Sequence, residues 1–351
     1  MSVKHWSFAG LLLTYWCNAR CASCYLCCGP QRHEEMSVED ALGFWAGLQA
    51  ACPHGCRIHL SGGEPFGDWP RLICLCRRAA AETLGPLEKV ETNAFWADGP
   101  QIVRDRLRAL DASGMGKLVI STDPYHQEFV PISRCRLAAR VAEEVLGARR
   151  VQVRWRDWLA EGFDTAGLDD SQRAALFARY ASAGKDRLTG RAADALAGNL
   201  PCMSAGNFAD RPCKERLLRS RHVHIDGGGR MMPGVCAGIV LGVAGRESVS
   251  DVWRRLAADH NRRPIVAALA ERGPVGLLPL AERTGFAPQA GYAGKCHLCW
   301  QIRRHLSQTG LYEEELAPAW MYETQADAAP VGRGRPAWEP DANARKDPGV
   351  P

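Results

Sequence analysis

Short apolar runs alternate with longer segments whose apolar residues recur every three or four positions through the first half of the chain. The short runs predict buried strands, and the longer segments predict amphipathic helices. The predicted strands are residues 9–15, 57–61, 87–92, 118–122 and 151–155. The predicted helices between them are residues 38–51, 70–84, 101–113 and 133–146. Repeated strand–helix units of this length predict an α/β fold, an open or partial (β/α) barrel, with a sixth strand after a helical region at residues 171–196.

The pattern changes near Pro201. Cysteines return, helical periodicity weakens, and three glycines at residues 227–229 separate two strand-like runs, which predicts a hairpin. Shorter helices are predicted near residues 249–259, 264–271 and 300–306. From about residue 317 the chain is rich in Ala, Pro, Gly and charge without any period. We therefore predict a barrel at residues 1–200, a small cysteine-rich module at 201–306 and a disordered tail at 307–351.

Composition narrows the class of protein. The chain has 351 residues, of which 46% are hydrophobic, and a formal net charge of +5 without a long basic run. These values indicate a globular protein and give no reason to expect nucleic acid or membrane as a partner. The apolar stretch at residues 8–16 is too short to span a bilayer and lacks a cleavage site, and we see no other candidate span. We expect a soluble, cytoplasmic protein.

Fifteen cysteines are many for a chain without an export signal, and in a reducing cytosol such clusters indicate metals or catalysis. Cys17, Cys21 and Cys24 follow the first predicted strand in one loop. Three thiolates at this spacing can hold one face of an iron–sulfur cube and leave one iron open. A zinc site is the alternative, because Cys27 and Cys28 lie nearby.

The second predicted strand ends in Ser61, followed by Gly62, Gly63, Glu64 and Pro65. A Cys-x-x-x-Cys-x-x-Cys loop followed by Gly-Gly-Glu-Pro resembles the radical S-adenosylmethionine (SAM) superfamily, whose fold is a partial (β/α)6 barrel. The resemblance implies that the three cysteines hold a [4Fe–4S] cluster and that SAM chelates its open iron. It places the Gly62–Pro65 motif beside the methionyl amine of SAM. It also implies reductive cleavage of SAM to a 5′-deoxyadenosyl radical, which abstracts hydrogen from the substrate.

Later strand ends match the family more loosely. The positions that the resemblance assigns to contacts with SAM are Asn93, Ser121, Asp123 and Arg154. Each is equally consistent with an ordinary polar group on a barrel rim. Two departures stand out: Ala94 replaces a common glycine, and Ser23 replaces a common aromatic residue, for which Tyr25 is a possible substitute.

His126 and Glu128 lie in the loop after the fourth predicted strand, on the face where the active site is expected. Either side chain can hold substrate or carry a proton there. The structural alternative is a loop fixed by its prolines, with His126 bonded to the backbone.

A second group of cysteines surrounds the predicted hairpin: Cys213, Cys236, Cys296 and Cys299. Four thiolates suit either a [4Fe–4S] cluster or a structural zinc ion. The hairpin resembles that of the SPASM and twitch modules, which hold auxiliary clusters in many radical SAM enzymes, and this resemblance favours one auxiliary [4Fe–4S] cluster. Cys202 is an alternative to Cys213.

Together these features predict a radical SAM oxidoreductase or maturase that oxidises or cross-links a peptide or natural-product precursor. The alternative substrate is a small metabolite in cofactor biosynthesis. A flavodoxin or ferredoxin is the expected electron donor. The competing class is a non-catalytic zinc-binding module, which the three-cysteine loop argues against because structural zinc prefers four ligands.

Overall fold

The computed structural model describes residues 3–162, 165–184 and 186–323. In these segments eight strands form one sheet in the order β5-β4-β3-β2-β1-β6-β7-β8. The strands are β1 Phe8–Leu12, β2 Arg57–Ser61, β3 Leu87–Thr92, β4 Lys117–Ser121, β5 Val151–Arg154, β6 His222–Ile225, β7 Arg230–Pro233 and β8 Gly242–Val243. The first six strands pair in parallel, and β7 and β8 add antiparallel strands at one edge. The parallel α/β architecture predicted from the sequence is confirmed.

The sixth parallel strand lies after residues 171–196, as predicted. It is β6, the first strand of the hairpin that we assigned to a separate module. β6 pairs with β1, with Ala9 opposite Val223 and Leu11 opposite Ile225, and all four side chains are buried in one core. The hairpin therefore continues the sheet of the barrel, and the division of the chain at residue 201 stays a prediction.

Thirteen helices lie in the described segments. Their bounds are α1 Val38–Ala51, α2 Trp69–Ala81, α3 Pro100–Ala112, α4 Pro124–Gln127, α5 Ile132–Leu146, α6 Arg156–Glu161, α7 Asp170–Ser182, α8 Ala192–Ala195, α9 Lys214–Leu217, α10 Val249–Asp259, α11 Pro264–Arg272, α12 Leu278–Glu282 and α13 Lys295–Gln308. Side-chain caps explain several starts: the side chains of Ser37, Asp68 and Ser248 accept hydrogen bonds from the first turns of α1, α2 and α10.

The two faces of the sheet differ in chemistry. One face is apolar and packs against helices, as shown by the fully buried Leu60, Val90 and Ile120. The inward positions that alternate with them include His59 and Glu91, which line a cavity. Because side chains alternate along a strand, each strand supplies both the core and the site.

One segment, Pro264–Glu282, is long and apolar enough to cross a membrane by length and composition, and the sequence analysis overlooked it. Half of its most apolar window is buried in the structure. The segment comprises α11, a 3-10 turn and α12, interrupted at Gly273, which has a φ of 66°. Ile265 and Leu277 are fully buried in the main core. Packing in a protein core accounts for its composition.

Part of the tail predicted from residue 307 is folded against the rest of the protein. Leu316, Met321 and Tyr322 are buried, and the Tyr322 hydroxyl donates to the carbonyl oxygen of Gly238 at 2.6 Å. The prediction of disorder is wrong for residues 307–323, because a few large apolar side chains within a polar stretch cover the end of the hairpin. Residues 324–351, the rest of that prediction, lie outside the described residues.

Candidate active site

A cavity of about 500 Å³ opens at the carboxyl ends of the parallel strands. Ten predicted site residues line it: Cys17, Cys21, Cys24, Gly62, Gly63, Asn93, Ser121, Asp123, His126 and Arg154. They come from the loop after β1 and from the ends of β2 to β5. Glu64, Pro65 and Glu128 were also predicted there but do not line the cavity.

Arg191 holds the cysteine loop and was missed by the sequence analysis. Its guanidinium donates to the carbonyl oxygens of Cys21 at 3.0 Å and Cys28 at 2.5 Å. Its backbone N–H donates to the carbonyl oxygen of Cys24 at 3.0 Å. The side chain is 6% exposed. Gly190 has a φ of 60°, and a Cβ there would lie 2.3 Å from the Cys24 carbonyl oxygen. One buried cation thus fixes a loop that is far away in the sequence. The residues next to Arg191 in the sequence give no indication of this role.

Hydrogen-bond donors surround the cysteine sulfurs. The Ala19 N–H lies 3.4 Å from Cys17 Sγ, and the Asn93 amide lies 3.7 Å from the same sulfur. The Cys28 N–H lies 3.4 Å from Cys24 Sγ. A hydrogen bond from the Cys28 thiol lowers the pKa of Cys24 well below its usual value, against the effect of burial. The donors act toward the thiolate forms that metal coordination requires, while burial raises the pKa of Cys17 and Cys21.

Gly62 and Gly63 are required by close packing against the chain that leaves β1. Gly62 has a φ of 128°, and a Cβ at Gly63 would lie 1.8 Å from the Trp16 carbonyl oxygen. The Gly63 N–H donates to the Thr14 carbonyl at 2.6 Å. The glycine pair therefore fixes the entry to the cysteine loop while its own backbone lines the cavity.

Glu64 is buried and joins this loop to the end of β3. Its carboxylate accepts hydrogen bonds from the Thr92 hydroxyl at 2.8 Å and the Asn93 N–H at 2.6 Å. Burial raises the pKa of Glu64 to about 7 despite these donors. Pro65 begins a 3-10 turn, Pro65–Asp68. The contact of Glu64 and Pro65 with SAM stays a prediction.

Asp123 and His126 form a pair at the cavity wall. His126 Nδ1 lies 2.6 Å from Asp123 Oδ2, and the His126 side chain also hydrogen-bonds the Cys21 thiol. Burial opposes a charge on His126, but Asp123 and Cys21 together raise its pKa well above its usual value. Glu128 instead faces Arg173, 3.6 Å away on α7. The structure thus places one of the two predicted proton carriers in the cavity.

Glu91 is the centre of a charged network on the cavity floor. Lys89 and Arg154 lie 2.7 and 2.8 Å from its carboxylate, and the Ser61 hydroxyl lies 3.3 Å away. Burial acts to raise the pKa of Glu91, but the neighbouring cations lower it to about 2. Arg154, predicted to contact SAM, therefore has a carboxylate partner within the protein.

The second group of cysteines is brought together by three separate elements: the start of α9, the end of the hairpin and α13. Burial raises the pKa of Cys213 to about 11 and that of Cys236 to about 12, and in both cases Cys296 and Cys299 add to the effect. The four side chains are thus electrostatic neighbours. Cys202, the alternative ligand, is exposed, and its sulfur lies 3.6 Å from the Leu200 carbonyl.

Arg303 adjoins the second cysteine group and was also missed. It is 1% exposed, donates to the Ala237 carbonyl at 2.8 Å and contacts the Tyr322 hydroxyl at 3.1 Å. Burial disfavours its charge, but Tyr322, Cys299 and Cys236 raise its pKa. A buried cation thus lies beside each group of thiols.

No protein-family model matches the chain, and no curated protein matches it. Several solved structures are similar in fold. BtrN in complex with AdoMet and 2-DOIA is 16% identical with a TM-score of 0.43, covering 75% of this chain and 91% of BtrN. Native anSMEcpe with bound AdoMet and Cp18Cys peptide is 11% identical with a TM-score of 0.43, covering 87% and 96%. Streptococcus suis SuiB bound to S-adenosylmethionine is 13% identical with a TM-score of 0.37, covering 74% and 67%.

Proposed function

We propose that the chain is a radical SAM enzyme. The observation that carries this proposal is the convergence of three cysteines of one loop, the glycine pair after β2 and polar groups at the ends of β3 to β5 on one cavity. These residues span more than a hundred positions of sequence. A cavity at the carboxyl ends of parallel strands is where such folds place their chemistry.

The residues fit a [4Fe–4S] cluster held by Cys17, Cys21 and Cys24. Three thiols in one loop have N–H donors at two of their sulfurs and a buried guanidinium behind them. Hydrogen bonds to sulfur and nearby charge are the means by which proteins tune such clusters. When bound, the cluster supplies the electron that cleaves SAM to methionine and a 5′-deoxyadenosyl radical, which takes a hydrogen atom from the substrate.

The chain's own residues position and shield this chemistry. Gly62 and Gly63 offer backbone at the cavity wall, and Asn93 ties the Cys17 loop to β3 through Asn18, at 2.9 Å. His126, with Asp123 on its Nδ1, holds a proton beside Cys21 and can move it at the cavity wall.

The second cysteine group fits an auxiliary [4Fe–4S] cluster held by Cys213, Cys236, Cys296 and Cys299. Cys236 directly follows Val235, which lines the cavity, so this centre adjoins the site. A substrate radical must lose an electron to form a closed-shell product, and an adjacent cluster is a suitable acceptor. The electron donor to the enzyme would be a flavodoxin or ferredoxin.

We further propose oxidative modification or cross-linking of a peptide or natural-product precursor. The charged lining, with Lys89, Glu91, Arg154 and Arg187, supports a polar substrate or side chain. A small metabolite of cofactor biosynthesis is the alternative, and comparing peptide and small-molecule substrates for 5′-deoxyadenosine-coupled turnover separates the two.

A second candidate function follows from the Asp123–His126–Cys21 arrangement, which is also that of a thiol nucleophile with its base. Burial raises the pKa of Cys21, the opposite of what an activated nucleophile needs. A bound metal deprotonates its own thiol ligand, so the raised pKa weighs less against metal coordination, which we favour for Cys21.

The test is anaerobic. Protein reconstituted with iron and sulfide is mixed with dithionite and SAM, and 5′-deoxyadenosine is measured in wild type, Cys24→Ala and the control Cys74→Ala, which replaces an exposed thiol on α2. We expect product in wild type and control and none in Cys24→Ala. Iron-loaded wild type that leaves SAM intact would overturn the proposal, and tightly bound zinc in its place would favour the non-catalytic module.

A further inference from the structure

Three histidines lie together on the cavity floor. His59 is in the middle of β2, and His222 and His224 are both on β6. One nitrogen from each ring lies within 4.8 Å of the others, and the Nε2 atoms of His59 and His222 are 3.0 Å apart. All three line the cavity. The proposed radical chemistry uses none of them.

The sheet makes room for these rings with glycine. β1 runs between β2 and β6, and its Gly10 pairs with both His59 and His224. A Cβ at Gly10 would lie 2.3 Å from the His224 ring and 2.4 Å from His59 Nε2. Gly234 similarly clears His222, since a Cβ there would lie 2.1 Å from its Nδ1. Any other residue at these two positions would push the rings apart.

The hydrogen-bonding capacity of the cluster is not satisfied by the protein. His59 and His224 are each 3% exposed, yet His224 Nε2 has no hydrogen-bond partner among the described residues. Buried polar atoms are normally paired, so an unpaired imidazole nitrogen beside a cavity indicates a missing ligand. Imidazole nitrogen is a preferred ligand atom for Zn²⁺ and other late first-row metal ions.

We propose that His59, His222 and His224 bind one divalent metal ion of the late first row, such as Zn²⁺, with an open coordination position facing the cavity. Three protein ligands and one exchangeable position are typical of catalytic rather than structural zinc sites. The open position would take an oxygen or nitrogen atom of the substrate or a water molecule. Glu91 Oε1, 3.5 Å from His59 Nδ1, orients that ring as outer carboxylates do in metal sites.

The charges around the three histidines indicate which ligand would occupy the open coordination position. Lys89 and Arg154 are positive and oppose a metal cation, whereas Glu91 is paired with both of them. Arg187 also acts on His222, so the neighbourhood carries an excess of positive charge before the ion arrives. An anionic ligand at the open position, such as a substrate carboxylate or hydroxide, would offset it. The site thus favours a substrate with an anionic group.

The test uses the iron-loaded protein equilibrated anaerobically with Zn²⁺ and then freed of excess metal. Bound zinc is counted, and X-ray absorption at the zinc edge identifies its nearest atoms. We expect about one Zn²⁺ with nitrogen or oxygen at about 2.0–2.1 Å and no sulfur at about 2.3 Å. His59→Ala, His222→Ala and His224→Ala should each lose this ion, whereas the exposed control His33→Ala should keep it.

Iron content, measured in the same samples, shows whether each variant keeps its fold and clusters. If an alanine variant also loses iron, His59→Gln and His224→Gln replace it, since glutamine preserves a polar side chain but is a poor zinc ligand. Wild-type protein that binds no zinc, zinc bound through sulfur, or zinc retained by all three histidine variants would overturn the proposal. The zinc count does not depend on SAM cleavage. Its outcome therefore tests the zinc site independently of the proposed function.

Discussion

The two groups of cysteines offer the same donor atoms in different surroundings. Cys17, Cys21 and Cys24 belong to one loop and line the cavity beside the glycine pair. Cys213, Cys236, Cys296 and Cys299 come from three separate elements, and none of them lines that cavity. The first group thus faces the cavity, whereas the second does not.

This difference predicts different roles for the two groups. A metal site built within one loop can leave a coordination position free for a small molecule. Loss of the metal from such a site need not unfold the barrel. A site that joins α9, the hairpin and α13 ties distant segments together, so its metal contributes to folding. We therefore expect chemistry to depend on the first group and stability to depend on the second.

The largest effect should come from Cys21→Ala. Loss of one of three ligands should lower 5′-deoxyadenosine formation to less than about one thousandth of the wild-type rate. The protein should keep about four irons per chain at the second group, with little change in melting temperature. SAM cleavage that survives this change would show that the two groups are not distinct in role.

Cys299→Ala should give the reciprocal result. It should lose about four irons and lower the melting temperature by about 5–10 °C, while SAM cleavage falls by less than about tenfold. Substrate turnover should stop, because the proposed electron acceptor is missing. Cys202→Ala, which changes an exposed thiol, is the control and should resemble wild type. Equal iron loss in the control would instead make Cys202 a ligand.

Glu91→Gln tests the charged floor of the cavity. The folded-state pKa of about 2 lies below the usual value, so the Glu91 charge stabilises the protein above about pH 4.5, and this contribution is lost as the pH falls toward 2. The variant should be less stable by about 3 kcal/mol at pH 7, with the difference shrinking below pH 4.5. Urea unfolding at pH 7 and pH 3 measures the loss of stability and its decrease at low pH.

The control for Glu91→Gln is Glu39→Gln, which removes an exposed pairing with Arg78 and should change the stability much less than Glu91→Gln does. A stability difference between Glu91→Gln and wild type that stays constant from pH 7 to pH 3 would contradict the assigned pKa of Glu91.

Arg191→Met should have the smallest effect of the four. It removes the guanidinium donors to the carbonyls of Cys21 and Cys28 while preserving an apolar stem, and SAM cleavage should fall by about 10- to 100-fold. The iron of the first group should also be lost faster in air than in the control Arg304→Met, on α13. Unchanged cleavage and air sensitivity would show that the loop needs no support from Arg191.

The sequence predicted what depends on local pattern. β2 and β3 begin and end at the predicted residues. The cysteine loop and the glycine pair were found by their spacing, and most of the strand-end residues assigned to the cavity do line it.

What the sequence did not predict depends on long-range pairing. The position of β6 beside β1 is a matter of sheet order, which hydrophobic periodicity does not contain. The histidine cluster follows from that order, since His59 and His224 meet only across Gly10. Arg191 likewise acts on a loop that lies 163 residues or more away in the sequence, so its role has no local signature.

The central claim is that one cysteine group faces SAM and the other does not. The most direct measurement is electron paramagnetic resonance of the dithionite-reduced, iron-loaded protein, recorded with and without SAM. We predict two cluster signals, of which one changes on addition of SAM. That signal should be absent from Cys21→Ala and present in Cys299→Ala. The account would be contradicted if no cluster signal changed on addition of SAM, or if a SAM-sensitive signal persisted in Cys21→Ala.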